Sequence, residues 1–211
     1  RGWLSIARGI EKPGDPETPW QEYAFRRMTD ANPFPSIMGR VCPAPCEDGC
    51  NRNAVEEFVG INSIEHYVGD YAIDEALAFE STAVDTGKRV AIIGGGPAGL
   101  ATAYHLRRRG HGATIFDDHE DLGGLMRYGI PGYRTPRDVL SKEIQRITDM
   151  GVELRLGTRI GREVSLQDLE DQFDAVVVAI GAKQGSTLPI PGAEGASNCL
   201  TGVDFLEAFN T

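Results

Sequence analysis

The chain has no run approaching the roughly 20 apolar residues that a bilayer crossing needs. No basic leader followed by an apolar stretch opens it. Membrane insertion and secretion are therefore not expected, and a cytoplasmic setting is. Excess positive charge is missing too: 21 Lys and Arg stand against 31 Asp and Glu, a formal net charge of −10. Such a surface repels a phosphate backbone, so nucleic acid is not expected as a partner. Internal repeats and low-complexity tracts are absent. So is a C-x-x-C pair, the minimum for a self-contained thiol oxidoreductase. Histidine is scarce and forms no acid–base or nucleophilic grouping: His105, His111 and His119 read as solvent-facing residues of a helix and two loops, and His66 as a surface residue. No catalytic residue is expected.

What is present begins with a glycine turn. Gly94-Gly95-Gly96-Pro97-Ala98-Gly99 follows a β-branched run at 90–93 and leads into a helical stretch over 100–109. A strand that reverses into a helix within a few residues, while a pyrophosphate approaches its main chain, has no room for a Cβ, which only glycine lacks. The following helix offers unpaired N–H groups and the positive end of its dipole, so phosphate binding needs no lysine. GxGxxG alone is a weak signal among 26 glycines. Here a second strand over 112–116 ends in Asp117, about 20 residues on, where a carboxylate accepts ribose hydroxyls and disfavours a 2′-phosphate. The bland alternative is a structural turn and a surface aspartate.

Three of the 4 cysteines stand in Val41-Cys42-Pro43-Ala44-Pro45-Cys46-Glu47-Asp48-Gly49-Cys50, a C-x3-C-x3-C array among prolines. The spacing is expected to bring the sulfurs around a common centre, as thiolates for a soft metal or an iron–sulfur cluster. A disulfide framework is less natural without a secretion signal. Zinc stays open, but three thiols are one short of a closed tetrahedral site. Cys199, in Asn198-Cys199-Leu200, reads as a small apolar filler. Glu65 shares a helical stripe with Ile61, Ile64 and Val68, and a carboxylate among apolar neighbours needs a cation, a hydrogen-bond network or a metal. An ion pair with an arginine and metal ligation are both open to it.

Chain organisation follows from these signals. At 211 residues, with 41% hydrophobic and 25% charged, the chain can bury one ordinary core and a smaller satellite. Thr18-Pro19-Trp20-Gln21 has capping-box spacing and predicts a helix over 20–31 that buries Trp20, Tyr23, Ala24 and Met28, stopped by Asn32-Pro33-Phe34-Pro35. A further helix is expected around 54–78. Residues 1–80 thus form a small helical domain, 81–87 a polar linker, and 88–211 an α/β domain with alternating strands and helices. In the latter, Thr135-Pro136-Arg137-Asp138 caps a helix with Leu140, Ile144, Ile147 and Met150 on one face, ended by Gly151. A short strand over 152–156 and a helix starting at Ser165-Leu166-Gln167-Asp168 follow. The apolar run 174–180 predicts a central parallel strand covered on both faces and ended by Gly181-Ala182.

Taken in order, these residues resemble one family. Met38-Gly39-Arg40-Val41 before the cysteine loop, Asn51-Arg52 and residues 61–70 after it, then the GGGPAGL turn, Asp121-Leu122-Gly123-Gly124-Leu125-Met126-Arg127-Tyr128-Gly129-Ile130-Pro131 and Ala179-Ile180-Gly181-Ala182, are similar to the glutamate synthase small-subunit family of flavoproteins over roughly residues 20–211. That family includes the corresponding domain of dihydropyrimidine dehydrogenase, the large subunit of NADH-dependent ferredoxin:NADP oxidoreductases and the flavoprotein partner of dissimilatory sulfite reductase. The resemblance implies a helical iron–sulfur domain followed by the first segment of a Rossmann-like FAD-binding domain. It implies FAD bound through Gly94, Gly96, Pro97, Ala98, Gly99, Asp117, Gly124, Leu125, Arg127, Val164 and Gly181, with Val164 toward the adenine and Gly124-Leu125 beside the flavin ring. Asp117 stands where the family usually has glutamate.

Two 4Fe–4S clusters are likewise implied, Cys42 and Cys46 serving one, Cys50 the other, and Glu65 standing where the family places a non-cysteine ligand. The family carries a further cysteine group ahead of Trp3, and continues after Leu188-Pro189-Ile190-Pro191-Gly192 into an NAD(P)H domain, so the chain is expected to be a fragment. The implied activity is oxidation of NAD(P)H at FAD with electrons relayed through the clusters to a large catalytic subunit such as glutamate synthase or sulfite reductase, or to ferredoxin. The competing expectation is a docking or assembly module with a structural zinc and a bound nucleotide.

Overall fold

The computed structural model describes residues 2–80, 84–186, 189–192, 196 and 199–211. Residues 81–83 of the expected linker, with Leu188 and Asn198, lie outside this set. The chain divides into two compact units, one of Arg1–Phe79 with Asp138–Arg146, the other of Glu80–Arg137 with Ile147–Thr211.

The first unit is helical: α1 (Gly2–Ala7), α2 (Trp20–Met28), α3 (Pro35–Val41), the single turn α4 (Pro45–Asp48), a 3-10 turn (Asn51–Ala54) and α5 (Ile61–Asp74). Ile6, Ala24, Phe25, Met28, Val68 and Ala72 form its core, with Trp3, Tyr23 and Ile64 packed around them. Helix α2 is shorter than the sequence suggests, and its N-cap is Pro19 with no side-chain bond, because Thr18 turns its hydroxyl to Asp15. Trp20 is not buried: in the first turn it reaches the margin of the core, is 36% exposed, and stacks on Tyr67 at 6.0 Å. The helix expected from 54 starts only at Ile61, where Gly60 serves as N-cap. Helices α3 and α5 touch backbone to backbone, since a Cβ at Gly69 would lie 2.2 Å from Ser36 N and one at Gly39 2.5 Å from His66 Cα.

Helix α8 (Arg137–Thr148), placed wholly in the second domain by sequence, gives Asp138–Arg146 to the first unit. Its Glu143, fully buried, accepts hydrogen bonds from the backbone N–H groups of Ser36 at 2.8 Å and Ile37 at 3.0 Å. The carboxylate therefore caps α3, whose C-cap is Cys42. The Arg146 guanidinium lies 4.9 Å from the Phe25 ring centroid and 5.5 Å from that of Phe79. Leu140, Ile144, Ile147 and Met150 are buried as their spacing predicts, and Gly151 follows at φ +86°.

The second unit is an α/β layer. Its four parallel strands, β1 (Arg89–Ile93), β2 (Gly112–Phe116), β3 (Glu153–Arg155) and β4 (Ala175–Val178), lie in the order β3-β2-β1-β4. Helix α6 (Pro97–Arg108) crosses from β1 to β2, the turn α7 (Leu125–Tyr128) follows, α9 (Leu166–Gln172) precedes β4, and α10 (Gly202–Asn210) comes last. The capping box read at Ser165 and Asp168 is formed. Strand β4 is an edge among the described residues, not the centre, and Val178 is 64% exposed. Its apolar run satisfies one neighbour, β1, and leaves one flank open. Strand order reverses between β1 and β4, where parallel sheets open a crevice at their carboxyl ends.

Candidate functional site

That crevice is a cavity of about 900 Å³ in the second unit, within the range of cofactor sites. Its floor is Ile93, Gly94, Gly96, Pro97 and Ala98 at the end of β1, its sides Phe116 to His119 after β2, Gly124, Leu125 and Tyr128 to Ile130, and Val178 to Lys183 after β4, with Val203, Leu206 and Glu207 of α10 beside them. The glycines divide the work. A Cβ on Gly99 would meet Gly94 O at 1.8 Å, so Gly99 permits the strand–helix junction itself and does not line the cavity. Gly96, the N-cap of α6, faces the cavity across from Gly124. Gly124 holds φ +50°, and its Cβ would come within 2.7 Å of Gly96 Cα, so two bare backbones meet at this wall. The first turn of α6 carries neither an acidic residue nor a side-chain cap, which leaves its amides for an anionic ligand.

Asp117, buried at the end of β2, holds this turn. Its Oδ2 accepts from Gly95 N at 2.6 Å and its Oδ1 from His119 N at 2.9 Å. The carboxylate thus ties the glycine turn to the loop after β2 while still lining the cavity. His119 is not the solvent-facing residue its sequence setting suggests. Its ring stacks on Tyr128 at 4.3 Å, and Nε2 lies 3.2 Å from Glu207 Oε1. Asp118 pairs with Lys183; burial raises its pKa, but the hydrogen bond and charge of the Lys183 ammonium, with His119 beside it, outweigh that and hold the carboxyl below the ordinary aspartate range. Asp117, Asp118 and His119 are the one group of three such donors within 4.8 Å among the described residues, and the Lys183 ammonium already neutralises part of it. Lys183 and the α10 residues were not singled out by sequence. Lys183 lies five residues beyond the last residue of β4, and the rule that ligands sit at carboxyl ends of parallel strands was the available signal.

Besides Gly99, two expected residues lie outside the cavity lining. Arg127 donates from Nε to Leu122 O at 2.6 Å, which braces the 122–127 turn. Val164 bridges to Ile160 and packs against Ala91, Phe116 and Leu169. Gly181, at φ +67°, and Leu125 do line it.

The glycine cradle, open amides and size of the cavity fit a dinucleotide such as FAD. The residues able to hold it are Gly94, Gly96, Ala98, Asp117, Gly124, Leu125 and Gly181.

In the first unit, Cys42, Cys46 and Cys50 are free thiols, the first two exposed. Among the described residues no group of three donors within 4.8 Å includes them, so they do not converge as the spacing suggests. The backbone explains this: Cys42 is the extended C-cap of α3, Cys46 lies in α4, and Cys50 follows the end of α4. Ala44, between them, is held at φ +52° and donates its N–H to Cys42 Sγ at 3.4 Å. Soft thiols with an amide directed at sulfur fit iron–sulfur chemistry. Among the described residues Glu65 has no arginine partner. It accepts from Asn32 Nδ2 at 2.8 Å, and burial raises its pKa against that bond. His66 pairs with Asp70 at 3.0 Å. Cys199 is exposed and fills no core.

Comparison with known proteins agrees with this division. Residues 17–77 match the model for dihydropyrimidine dehydrogenase domain II, 4Fe–4S cluster, and residues 88–210 match the model for pyridine nucleotide-disulphide oxidoreductases. The chain is 39% identical to the NADP(+)-dependent formate dehydrogenase subunit beta of Moorella thermoacetica, over 82% of its own length and 28% of that protein. It is 40% identical to the glutamate synthase (NADPH) small chain of Mycobacterium tuberculosis, over 83% of its own length and 36% of that protein. It therefore spans about a third of these relatives. The oxidoreductase FprA of Mycobacterium tuberculosis shares the fold over 57% of this chain and 28% of FprA, with a TM-score of 0.53 at 23% identity. With the glycine turn, the parallel sheet and the cysteine loop in this order, the chain belongs to the pyridine nucleotide-disulphide oxidoreductase family and carries ahead of it a domain of the dihydropyrimidine dehydrogenase 4Fe–4S kind.

Proposed function

We propose that the chain is the cluster-bearing and first flavin-binding segment of an electron-transfer subunit that oxidises NAD(P)H at FAD and relays electrons through two 4Fe–4S clusters to a partner protein in the cytoplasm. The observation that carries this reading is the presence in one chain of a dinucleotide cavity and a thiol-rich loop. Bound flavin converts a two-electron donor to one-electron transfers, which clusters accept. The chain's own residues bind and orient. In this reading the amides of Gly96 and Ala98 hold the pyrophosphate, Asp117 the ribose, and Gly124 and Leu125 the edge of the ring system. The thiols of Cys42 and Cys46 serve one cluster and Cys50 the other, which accords with their lacking a common centre. Glu65, half-buried and hydrogen-bonded to the Asn32 amide, is a non-cysteine cluster ligand. The partner is a large subunit of the glutamate synthase or sulfite reductase kind, or ferredoxin; relatives are named as subunits of glutamate synthase and formate dehydrogenase.

The test is an absorption spectrum of the full-length protein purified without air, with iron and acid-labile sulfide assayed on the same sample before NAD(P)H is added. Flavin and cluster bands that bleach with NAD(P)H are the expected result. A colourless, zinc-containing protein would replace this reading with that of a docking module.

A further inference from the structure

Arg137 makes no ion pair among the described residues. Its guanidinium is spent on oxygens: Nη1 donates to Met126 O and Thr135 O, each at 3.2 Å, and Nη2 to Ile130 O at 2.9 Å and Asn210 Oδ1 at 2.8 Å. Asn210, in the last turn of α10, in turn donates from Nδ2 to Tyr128 O at 3.0 Å and to Leu206 O at 2.8 Å. The carbonyls so collected belong to the 126–135 segment, whose Tyr128, Gly129 and Ile130 line the cavity, and α10 supplies Leu206 and Glu207 to the same cavity. Two walls that the sequence leaves about 80 residues apart are thus joined by one guanidinium and one amide. Burial and the neighbouring Arg127 both lower the Arg137 pKa, yet arginine remains charged throughout the usable pH range. A charge without a carboxylate costs desolvation energy, which only several well-placed dipoles offset. Such a residue is expensive to retain for packing alone.

We infer that Arg137 and Asn210 are positioning residues which strap α10 onto the 126–130 wall and so govern how long the flavin cofactor is retained. This rests on the FAD reading above. Neither residue lines the cavity; both act through the backbone of residues that do. Lysine cannot replace Arg137, because one ammonium cannot reach four oxygens from the planar fork of a guanidinium. Asn210→Asp would keep the acceptor for Arg137 but lose both amide donations to Tyr128 and Leu206.

The experiment measures FAD release from the full-length protein, as the rise in free-flavin fluorescence after dilution, together with visible circular dichroism of the bound flavin and the melting temperature. Asn210→Ala and Arg137→Lys are expected to speed release by about tenfold, the cost of one or two hydrogen bonds. Both should change the flavin dichroism, with Asn210→Asp falling between them and wild type. Release and dichroism indistinguishable from wild type in Asn210→Ala would overturn the strap, whatever Arg137→Lys does to folding. Wild-type protein that holds no flavin would instead overturn the FAD reading itself.

Discussion

Replacing Glu143 by glutamine should change how the first unit responds to pH, and the size follows from its burial. The side chain is fully buried, and desolvation raises its pKa to about 7 against the opposing N–H groups of Ile37 and Ser36 and the charges of Arg146 and Arg40. Unfolded glutamate titrates near 4.5, so between these values the folded state binds more protons. Stability is fully present below about 4.5, falls as pH rises through about 7, and is level above. The displacement corresponds to about 3 kcal/mol. Glutamine removes this titration but offers one acceptor oxygen for two N–H groups, a pH-independent cost of about 1–3 kcal/mol. Wild type should therefore exceed Glu143→Gln in stability at pH 5 and lose about 3 kcal/mol of that advantage by pH 8. Urea unfolding followed by tryptophan fluorescence reads this unit alone, because both tryptophans, Trp3 and Trp20, belong to it. A difference that stays constant within about 1 kcal/mol from pH 5 to 8 would refute the reasoning.

Three further outcomes are expected. Gly99→Ala, whose Cβ would stand 1.8 Å from Gly94 O, should destabilise the second unit by about 3 kcal/mol or more, seen in thermal melts by far-UV circular dichroism; an unchanged melt would contradict the junction described. Asp117→Asn sets an amide donor against Gly95 N or His119 N and should weaken FAD binding about tenfold in a fluorescence titration, whereas wild-type affinity would separate the carboxylate from the glycine turn. Cys42→Ser in the full-length protein should lower iron and acid-labile sulfide per polypeptide, and full retention of both would remove Cys42 from the ligand set.

Local signals were legible where neighbours in sequence determine the outcome. The strand–turn–helix at Gly94 to Gly99, the carboxylate at Asp117, the Ser165–Asp168 capping box and the stripe of Leu140, Ile144, Ile147 and Met150 each depend on residues within about one element. What escaped depends on distant partners. Nothing near Glu143 signals that its carboxylate caps a helix more than 100 residues earlier. Trp20 reads as core from its size and its spacing to Ala24 and Met28, but in the first turn of α2 it lies at the margin of the core and stacks on Tyr67. The 174–180 run was read as central because apolar strands usually are, although composition reports covered faces and not the number of hydrogen-bonded neighbours. Likewise C-x3-C-x3-C counts residues along a chain, while α4 and the extended caps on either side decide where sulfurs stand.

The order β3-β2-β1-β4 also has a consequence for how such a protein diverges. The hydrogen-bonded ladder is set by backbone pairs within the strands, whereas His119 and Lys183 hang from segments beyond strand ends. Exchanging those side chains alters what the crevice recognises and leaves the ladder untouched, so ligand preference can drift in small mutational steps. Gly99 has no such freedom, because there the same atoms that would meet a new side chain already hold the scaffold together. Innovation at this site is therefore confined to its walls, and the strand–helix junction beneath it is inherited.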